Sequence, residues 1–171
     1  MASRKAQAVI GAGYGDEGKG LLTDRLASIT ADAVIVRSNG GAQAGHTVVT
    51  PDGRRHVFHH FGSGGLAGAP THLSAFFVAH PMFFPGERQA LKALGAALAV
   101  SVDPRAIVTT PFDMMINQAL ELSRGTGRHG SCGLGFGEAI ERCLRPDHAI
   151  RTGDLVQPDL AGRLWRIWTD W

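Results

Sequence analysis

The run Gly13-Tyr14-Gly15-Asp16-Glu17-Gly18-Lys19-Gly20 constrains this chain more than any other stretch. It lies between the apolar Ala8-Val9-Ile10 and a segment in which Leu21, Leu22, Leu26 and Ile29 recur at helical spacing. A short apolar run reads as a buried parallel strand, and strand, glycine loop and helix start in that order make a phosphate-binding unit of an α/β sheet. Gly13 and Gly18-Lys19 keep the G-x-x-x-x-G-K spacing of a P-loop. Gly20, however, stands where a P-loop carries Ser or Thr, and an acid pair, Asp16-Glu17, lies inside the loop. A phosphate gathered among backbone N–H groups repels carboxylates, so a loop that keeps two acids must employ them. Asp16 can hold Mg²⁺ in place of the missing hydroxyl, or accept a proton from a substrate beside the terminal phosphate. The plainer alternative is that both acids cap the helix.

The rest of the chain extends the α/β pattern. Residues 33–36 and 75–78 read as further buried strands, 107–109 as another, and residues 19–28, 85–94 and 111–123 as helices, the last with Met115, Leu120 and Leu122 available for the core. Pro51-Asp52-Gly53 between the β-prone Thr47-Val48-Val49-Thr50 and His56-Val57-Phe58-His59 is a hairpin turn. The fold class is therefore α/β: a mainly parallel sheet with a P-loop-like strand-loop-helix and a β-hairpin insertion at residues 47–59. In the last segment Leu160, Leu164, Ile167, Trp168 and Trp171 share one helical face. An apolar stripe that stops on a Trp reads first as a truncated chain lacking its partner surface. The alternative is a helix docked on its own domain.

A net charge of +2 gives no case for nucleic acid or an anionic membrane. Only Lys5, Lys19 and Lys92 are lysines, which adds weight to the one in the loop. The two cysteines, Cys132 and Cys143, fit no metal-ligand spacing, and no secretory leader or membrane-length apolar run is visible, so a cytoplasmic location is expected.

A second constellation, Arg37-Ser38-Asn39-Gly40-Gly41-Ala42-Gln43-Ala44-Gly45-His46-Thr47, follows the second strand. If the two strands are parallel neighbours, it emerges at the same sheet edge as the first loop, where ligands of open α/β sheets sit. There His46 can donate to a phosphate oxygen and steady developing charge. The remaining histidines, including His56, His59 and His60, have no Cys or acid partners at zinc-ligand spacing.

With both segments in place the chain resembles the adenylosuccinate synthetase family. That family carries Gly-Asp-Glu-Gly-Lys-Gly near its N-terminus, matched at residues 15–20, and Gly-Gly-x-Asn-Ala-Gly-His one helix and one strand later, matched at residues 40–46 with Gln43 for Asn. Weaker similarity continues through His60-Phe61-Gly62-Ser63-Gly64, the loop at Gly133 and Gly135, and Arg151-Thr152-Gly153-Asp154-Leu155. The resemblance implies that residues 1–171 are the incomplete N-terminal part of a single longer domain. It also implies a ligase in which GTP phosphorylates the 6-oxygen of IMP and L-aspartate displaces the phosphate, giving adenylosuccinate. The implied catalytic residues are Asp16, as base toward N1 of the purine, and His46, as acid partner. The implied nucleotide contacts are Gly15, Asp16, Glu17, Gly18, Lys19, Gly20, Gly45, His46 and Thr47. Asp16, Lys19, Gln43, Ala44, Gly45, His46, Ser131 and an Arg donated across a homodimer, Arg142 before Arg145, are implied for substrate. Asp16 and the Gly45 carbonyl are implied for Mg²⁺. Ala42, Gln43 and His129-Gly130-Ser131-Cys132-Gly133 depart from the family pattern, which opens dGMP as an alternative to IMP and aminoadenylosuccinate as its product. The family's guanine-recognition and aspartate-binding segments find no match, so the isolated chain is expected to turn over little or nothing, or to be a non-catalytic nucleotide-binding fragment.

Overall fold

The computed structural model describes residues 5–96 and 98–171. Its framework is a set of short parallel strands in two three-stranded sheets. One has the order β1 (Ile35–Arg37), β5 (Thr71–Leu73), β7 (Val100–Val102); the other has the order β2 (Gly40–Gly41), β6 (Phe77–Ala79), β8 (Ile107–Val108). The two sheets follow each other along the chain, so they are one three-stranded parallel layer broken across its middle. The breaks coincide: Ser74 donates its backbone N–H to Arg37 O at 3.1 Å and its hydroxyl to Ser38 O at 2.7 Å, while Asp103 N–H reaches Leu73 O at 2.9 Å. An antiparallel hairpin, β3 (His46–Val49) with β4 (Arg55–Phe58), is inserted between β2 and β5. Its turn is closed by Gly53 N–H to Thr50 O and Thr50 N–H to Arg54 O, both 2.9 Å, as Pro51-Asp52-Gly53 requires.

Among the described residues five α-helices complete the fold: α1 (Lys19–Ser28), α2 (Phe84–Ala93), α3 (Pro111–Ser123), α4 (Phe136–Cys143) and α5 (Leu160–Asp170). Helix α3 starts where its sequence says it should. Pro111 sits at the first turn, Thr110 Oγ1 accepts the Asp113 N–H, and Asp113 Oδ2 accepts the Thr110 N–H at 2.7 Å, a capping box. Helix α4 starts at Gly135, whose φ of 68° and whose approach to α3 leave no room for a side chain: a Cβ there would lie 2.5 Å from Asp113 C.

Several expectations from the sequence need correction. Residues 8–10 form no strand; Ile10 is 84% exposed, because a buried strand needs a hydrogen-bonded neighbour and no described backbone pairs with this run. Strands expected at 33–36 and 75–78 are shifted to β1 and β6, and β5 and β7 were not anticipated. On α3, Met115, Leu120 and Leu122 are exposed, and the buried positions are instead Asp113 and Glu121. The terminal stripe docks on its own domain: Ile167 is 1% exposed and joins Val108 and Ile150, with Leu160, Leu164, Trp171 and Phe112 packed around them. Trp168 is half-exposed and tilts over Phe112 at 5.4 Å. The stripe therefore gives no reason to infer a missing partner surface. A second apolar cluster, Val48, Phe58, Phe61, Leu66 and Leu91, fastens the hairpin to α2. No helix among the described residues is long and apolar enough to cross a membrane.

Candidate functional site

The two glycine-rich segments meet because α1 lies against β3. Gly20, in the first turn of α1, faces His46 directly. A Cβ at this position would stand 2.9 Å from the His46 Cβ and 3.3 Å from the Ser63 Oγ, closer than non-bonded carbons pack. This explains why Gly20 replaces the hydroxyl residue of a P-loop: a side chain there would push the helix off the histidine. Around this contact opens a cavity of about 240 Å³, lined among others by Lys19, Gly20, Asn39, Ala44, His46 and Ser63. Pockets that bury a drug-sized ligand run from roughly 300 Å³ upward. A cavity of this size takes a phosphoryl group and its neighbourhood, not a whole nucleotide.

The first loop enters the helix through left-handed backbone at Gly15 (φ 119°), Asp16 (φ 52°) and Gly18 (φ 72°). Asp is one of the few side-chain-bearing residues that tolerates this conformation. The two acids diverge. Glu17 folds back, accepts the Gly13 N–H and pairs with Lys19. Those contacts, the lysine first, hold its carboxyl below the ordinary carboxylate range. It thus occupies donors that a phosphate would use. Asp16 is exposed, and its carboxylate makes no hydrogen bond among the described residues. A single hard oxygen donor beside a phosphate loop suits Mg²⁺, which is commonly held by one or two carboxylates, phosphate oxygens and water. No group of three or more His, Cys, Asp or Glu side chains converges on a metal position among the described residues.

The second loop is braced from the hairpin. The His59 Nδ1 lies 2.8 Å from Ala42 O and 3.1 Å from Ala44 O, so it donates to the carbonyls that shape residues 42–44. Behind His59, the buried Glu87 of α2 accepts the N–H groups of His59 and His60 at 2.7 Å each and of Phe61 at 3.3 Å, and His60 Nδ1 stands 3.0 Å from it. Burial alone would raise this carboxyl; the His60 imidazole and the backbone donors bring it below its ordinary value. His46 lies at the start of β3 with Arg37 Nη1 3.3 Å from its Nδ1. Burial first, then the Arg37 and Lys19 charges, lower its pKa. Arg37 is itself buried, with its guanidinium over the Phe77 ring at 5.1 Å.

The cavity therefore gathers Lys19, Gly20, Ala44 and His46 from the residues expected at the site. Gly15, Asp16, Glu17 and Gly18 form the loop leading into it, and Gly45 and Thr47 are exposed on the neighbouring segment. Gln43 is half-buried and does not line the cavity. Ser131 belongs to a separate exposed loop held on α3: its hydroxyl donates to Asn117 Oδ1 at 3.0 Å, and the Gly130 and Ser131 N–H groups go to Glu121 Oε2 at 3.0 and 3.4 Å. Arg142 is corrected outright. It is fully buried, its Nε and Nη2 each 2.9 Å from the Asp113 carboxylate, with further bonds to Val108 O and His148 O at 2.7 and 2.6 Å. A guanidinium so committed cannot reach across a subunit boundary. Arg145 is exposed, 4.7 Å over the Trp171 ring, and takes its place as the candidate. Arg37, Asn39, Ser63, His59 and Glu87 are site or support residues that pattern reading did not single out. Arg37 and Asn39 lie inside the second constellation, and Ser63 lies inside the weaker similarity at His60-Phe61-Gly62-Ser63-Gly64.

The adenylosuccinate synthetase family model matches residues 8–169. The adenylosuccinate synthetase of Neisseria gonorrhoeae (strain NCCP11945) is 36% identical over 163 residues, which is 93% of this chain and 37% of that protein. That of Trichodesmium erythraeum (strain IMS101) is 40% identical over 157 residues, 88% of this chain and 34% of the relative. The fold is similar to that of the fully ligated adenylosuccinate synthetase from Plasmodium falciparum, with a TM-score of 0.78 at 24% identity over 93% of this chain and 37% of that one. It is also similar to that of a cyanophage S-2L succinoaminodeoxyadenylate synthetase bound to dGMP and dATP, with a TM-score of 0.65 at 23% identity over 84% of this chain and 39% of that one. The chain spans a little over a third of the length of the curated relatives it matches. On the match over nearly its whole length, the chain belongs to the adenylosuccinate synthetase family.

Proposed function

We propose that this chain supplies the phosphate-binding and proton-handling part of a GTP-dependent ligase that joins L-aspartate to IMP. The observation that carries this reading is the convergence of Lys19 and Gly20 with Ala44 and His46 on one small cavity. Lys19 and the loop N–H groups take the GTP phosphates once Glu17 gives them up. Asp16 removes the proton from N1 of the purine, so that the 6-oxygen becomes a nucleophile toward the γ-phosphorus. The bond from that phosphorus to the β-bridging oxygen breaks and GDP leaves. The aspartate amine then displaces the phosphate from C6. His46 stabilises charge on the oxygens of the transferring group. The Asp16 carboxylate and the Gly45 carbonyl would hold Mg²⁺, whose chemistry here is to neutralise phosphate charge. Gln43, Gly45 and Thr47 belong to the purine-nucleotide wall in this reading, Ser131 to a second substrate loop, and Arg145 to a neighbouring subunit of a homodimer in the cytoplasm.

Ala42 and Gln43, where the family has His and Asn, favour a second reading in which (d)GMP replaces IMP and aminoadenylosuccinate is the product. Titration calorimetry of the chain with GTP, IMP and dGMP, with and without Mg²⁺, tests both. Magnesium-dependent binding of GTP that Lys19→Ala weakens is expected. No binding of any of the three would refute the reading, and dGMP binding without IMP binding would select the second.

A further inference from the structure

We infer that Arg37 is a further ligand-binding residue, whose guanidinium holds a phosphoryl dianion in the cavity beside Lys19. Arg37 ends β1, at the carboxyl end of a parallel strand, where ligands of open α/β sheets are bound. The strand alternation turns the preceding Val36 outward and Arg37 inward, so that Arg37 is buried and lines the cavity with Lys19, Asn39 and Ser63. An inward strand position ordinarily carries an apolar side chain, and an arginine almost never occupies one without a partner.

No carboxylate among the described residues supplies that partner. The polar contact of Arg37 is His46 Nδ1, 3.3 Å from its Nη1. Its Nε and Nη2 make no hydrogen bond among the described residues, and they are not sealed off by protein, so they open on the cavity. One face of the guanidinium lies over the Phe77 ring at 5.1 Å, which leaves the donors free, since they lie in the guanidinium plane. Glu87 is the carboxylate whose charge favours the cation against burial, but its oxygens are committed to the N–H groups of His59, His60 and Phe61. Arg142 shows the contrast: it is as deeply buried, and Asp113 and two carbonyls match it. A buried cation with unmatched donors destabilises the fold unless a ligand answers it.

The cavity sets the class of that ligand. Lys19 and Arg37 bring two positive charges to a space of about 240 Å³, the Ser63 hydroxyl and Asn39 amide add neutral donors, and none of its lining residues is acidic. Two cations without an acid suit a doubly charged tetrahedral group, and the guanidinium fork matches two of its oxygens. Resting on the proposed function, this group is either the terminal phosphate of GTP or the phosphoryl group after transfer.

Calorimetry with inorganic phosphate, GTP and GDP on the wild-type chain and on Arg37→Met tests the assignment. Methionine keeps an unbranched apolar stem against Phe77 and removes the charge. Phosphate affinity should fall roughly 10- to 100-fold, the value of a charge-assisted contact. If the ligand is the terminal phosphate of GTP, the variant also loses GTP affinity and retains that for GDP. If it is the transferred group alone, both nucleotides bind as before. Unchanged phosphate affinity overturns the inference, and so does an equal loss of GTP and GDP. If Arg37→Met does not fold, the wild-type chain decides: the Arg37 side-chain ¹H–¹⁵N signals should shift as phosphate is added, and signals that do not move overturn the inference. A chain in which phosphate moves them but which binds no GTP would refute the proposed function and leave the Arg37 assignment standing. One that binds GTP while phosphate leaves them unmoved would refute the assignment alone.

Discussion

Replacing Gly20 by Ala is the most direct test of why two loops form one site. The added Cβ would lie 2.9 Å from the His46 Cβ and 3.4 Å from the His46 carbonyl carbon. Non-bonded carbons settle at about 3.5–4.0 Å, so α1 and β3 must part by roughly 0.6–1.1 Å. Overpacking of this kind costs about 1–3 kcal/mol. Against it stands the helix preference of Ala over Gly, about 0.8–1 kcal/mol in a helix interior and less in a first turn such as this. The expected net is a loss between about zero and 3 kcal/mol, read by urea denaturation. Gly162 in α5 provides the control, since nothing lies within 4 Å of its missing Cβ. Gly162→Ala should stabilise the chain by up to about 1 kcal/mol. The site should suffer more than the fold, because His46 moves with β3. Losing a hydrogen bond to a charged phosphoryl oxygen costs about 1.5–3 kcal/mol, roughly 10- to 100-fold in GTP affinity by calorimetry. Gly20→Ser restores the usual P-loop residue and should nevertheless do worse than Ala. If Gly20→Ala gains stability as Gly162→Ala does and binds GTP normally, the close contact does not govern the site and the reasoning fails.

Lys19→Ala should weaken magnesium-dependent GTP binding by about 10- to 100-fold, the value of a charge-assisted contact, with a near-normal denaturation midpoint. Glu17→Gln keeps an acceptor for the Gly13 N–H and removes the competing charge. Because the Lys19 pair is exposed and screened by solvent, GTP affinity should rise only slightly, and a fall in affinity would show that Glu17 serves the ligand. Arg142→Ala leaves the buried Asp113 unpaired and should cost about 3–5 kcal/mol in urea denaturation; unchanged stability with weakened nucleotide binding would restore Arg142 as a substrate residue. His46, His56 and His80 all have lowered pKa values, burial being the first cause of each. Their unfolded forms bind protons before the folded ones do, so the stability they contribute is present above the ordinary histidine value of about 6.5 and lost as pH falls below it through the folded values. A thermal midpoint that stays flat on acidification until the carboxylates titrate would contradict this.

What the sequence revealed, and what it hid, follows from how local each signal is. Helix α3 was read at its observed bounds because its start is written within four residues, Thr110 to Asp113. The hairpin was legible for the same reason. Strands β5 and β7 were not, since Thr71-His72-Leu73 and Val100-Ser101-Val102 are three residues each, too short for periodicity to register. The core was misjudged where carboxylates displaced apolar side chains. Glu121 is buried because loop N–H groups and Arg124 satisfy it, and Asp113 because Arg142 and Thr110 do. The pairing of Asp113 with Arg142, 29 residues away, has no local signature, which is also why Arg142 looked like a free cation. At the site, the residues inside the two motifs were legible, and those that hold the motifs in place, Glu87 through His59 and Arg37 through His46, were not.

The acid pair in the loop shows how the two kinds of information combine. Adjacent in sequence, Asp16 and Glu17 look redundant. The left-handed backbone at Gly15, Asp16 and Gly18 sends them apart, one outward without a hydrogen-bond partner and the other back onto Gly13 and Lys19. A loop rich in N–H donors next to a lysine carries a positive potential that needs an anion in the absence of phosphate. Glu17 supplies that anion, so under the proposed function nucleotide binding would exchange one negative group for another at Lys19 and leave Asp16 untouched. That separation would let one loop hold phosphate and still keep a carboxylate for a proton or a metal, which an ordinary P-loop with its hydroxyl at the position of Gly20 does not offer. The glycine that replaces the hydroxyl is in turn what admits His46. The departures from the P-loop pattern are therefore coupled: losing the hydroxyl opens the helix to the histidine, and under the proposed function the acid would take over the oxygen donor the hydroxyl would have provided.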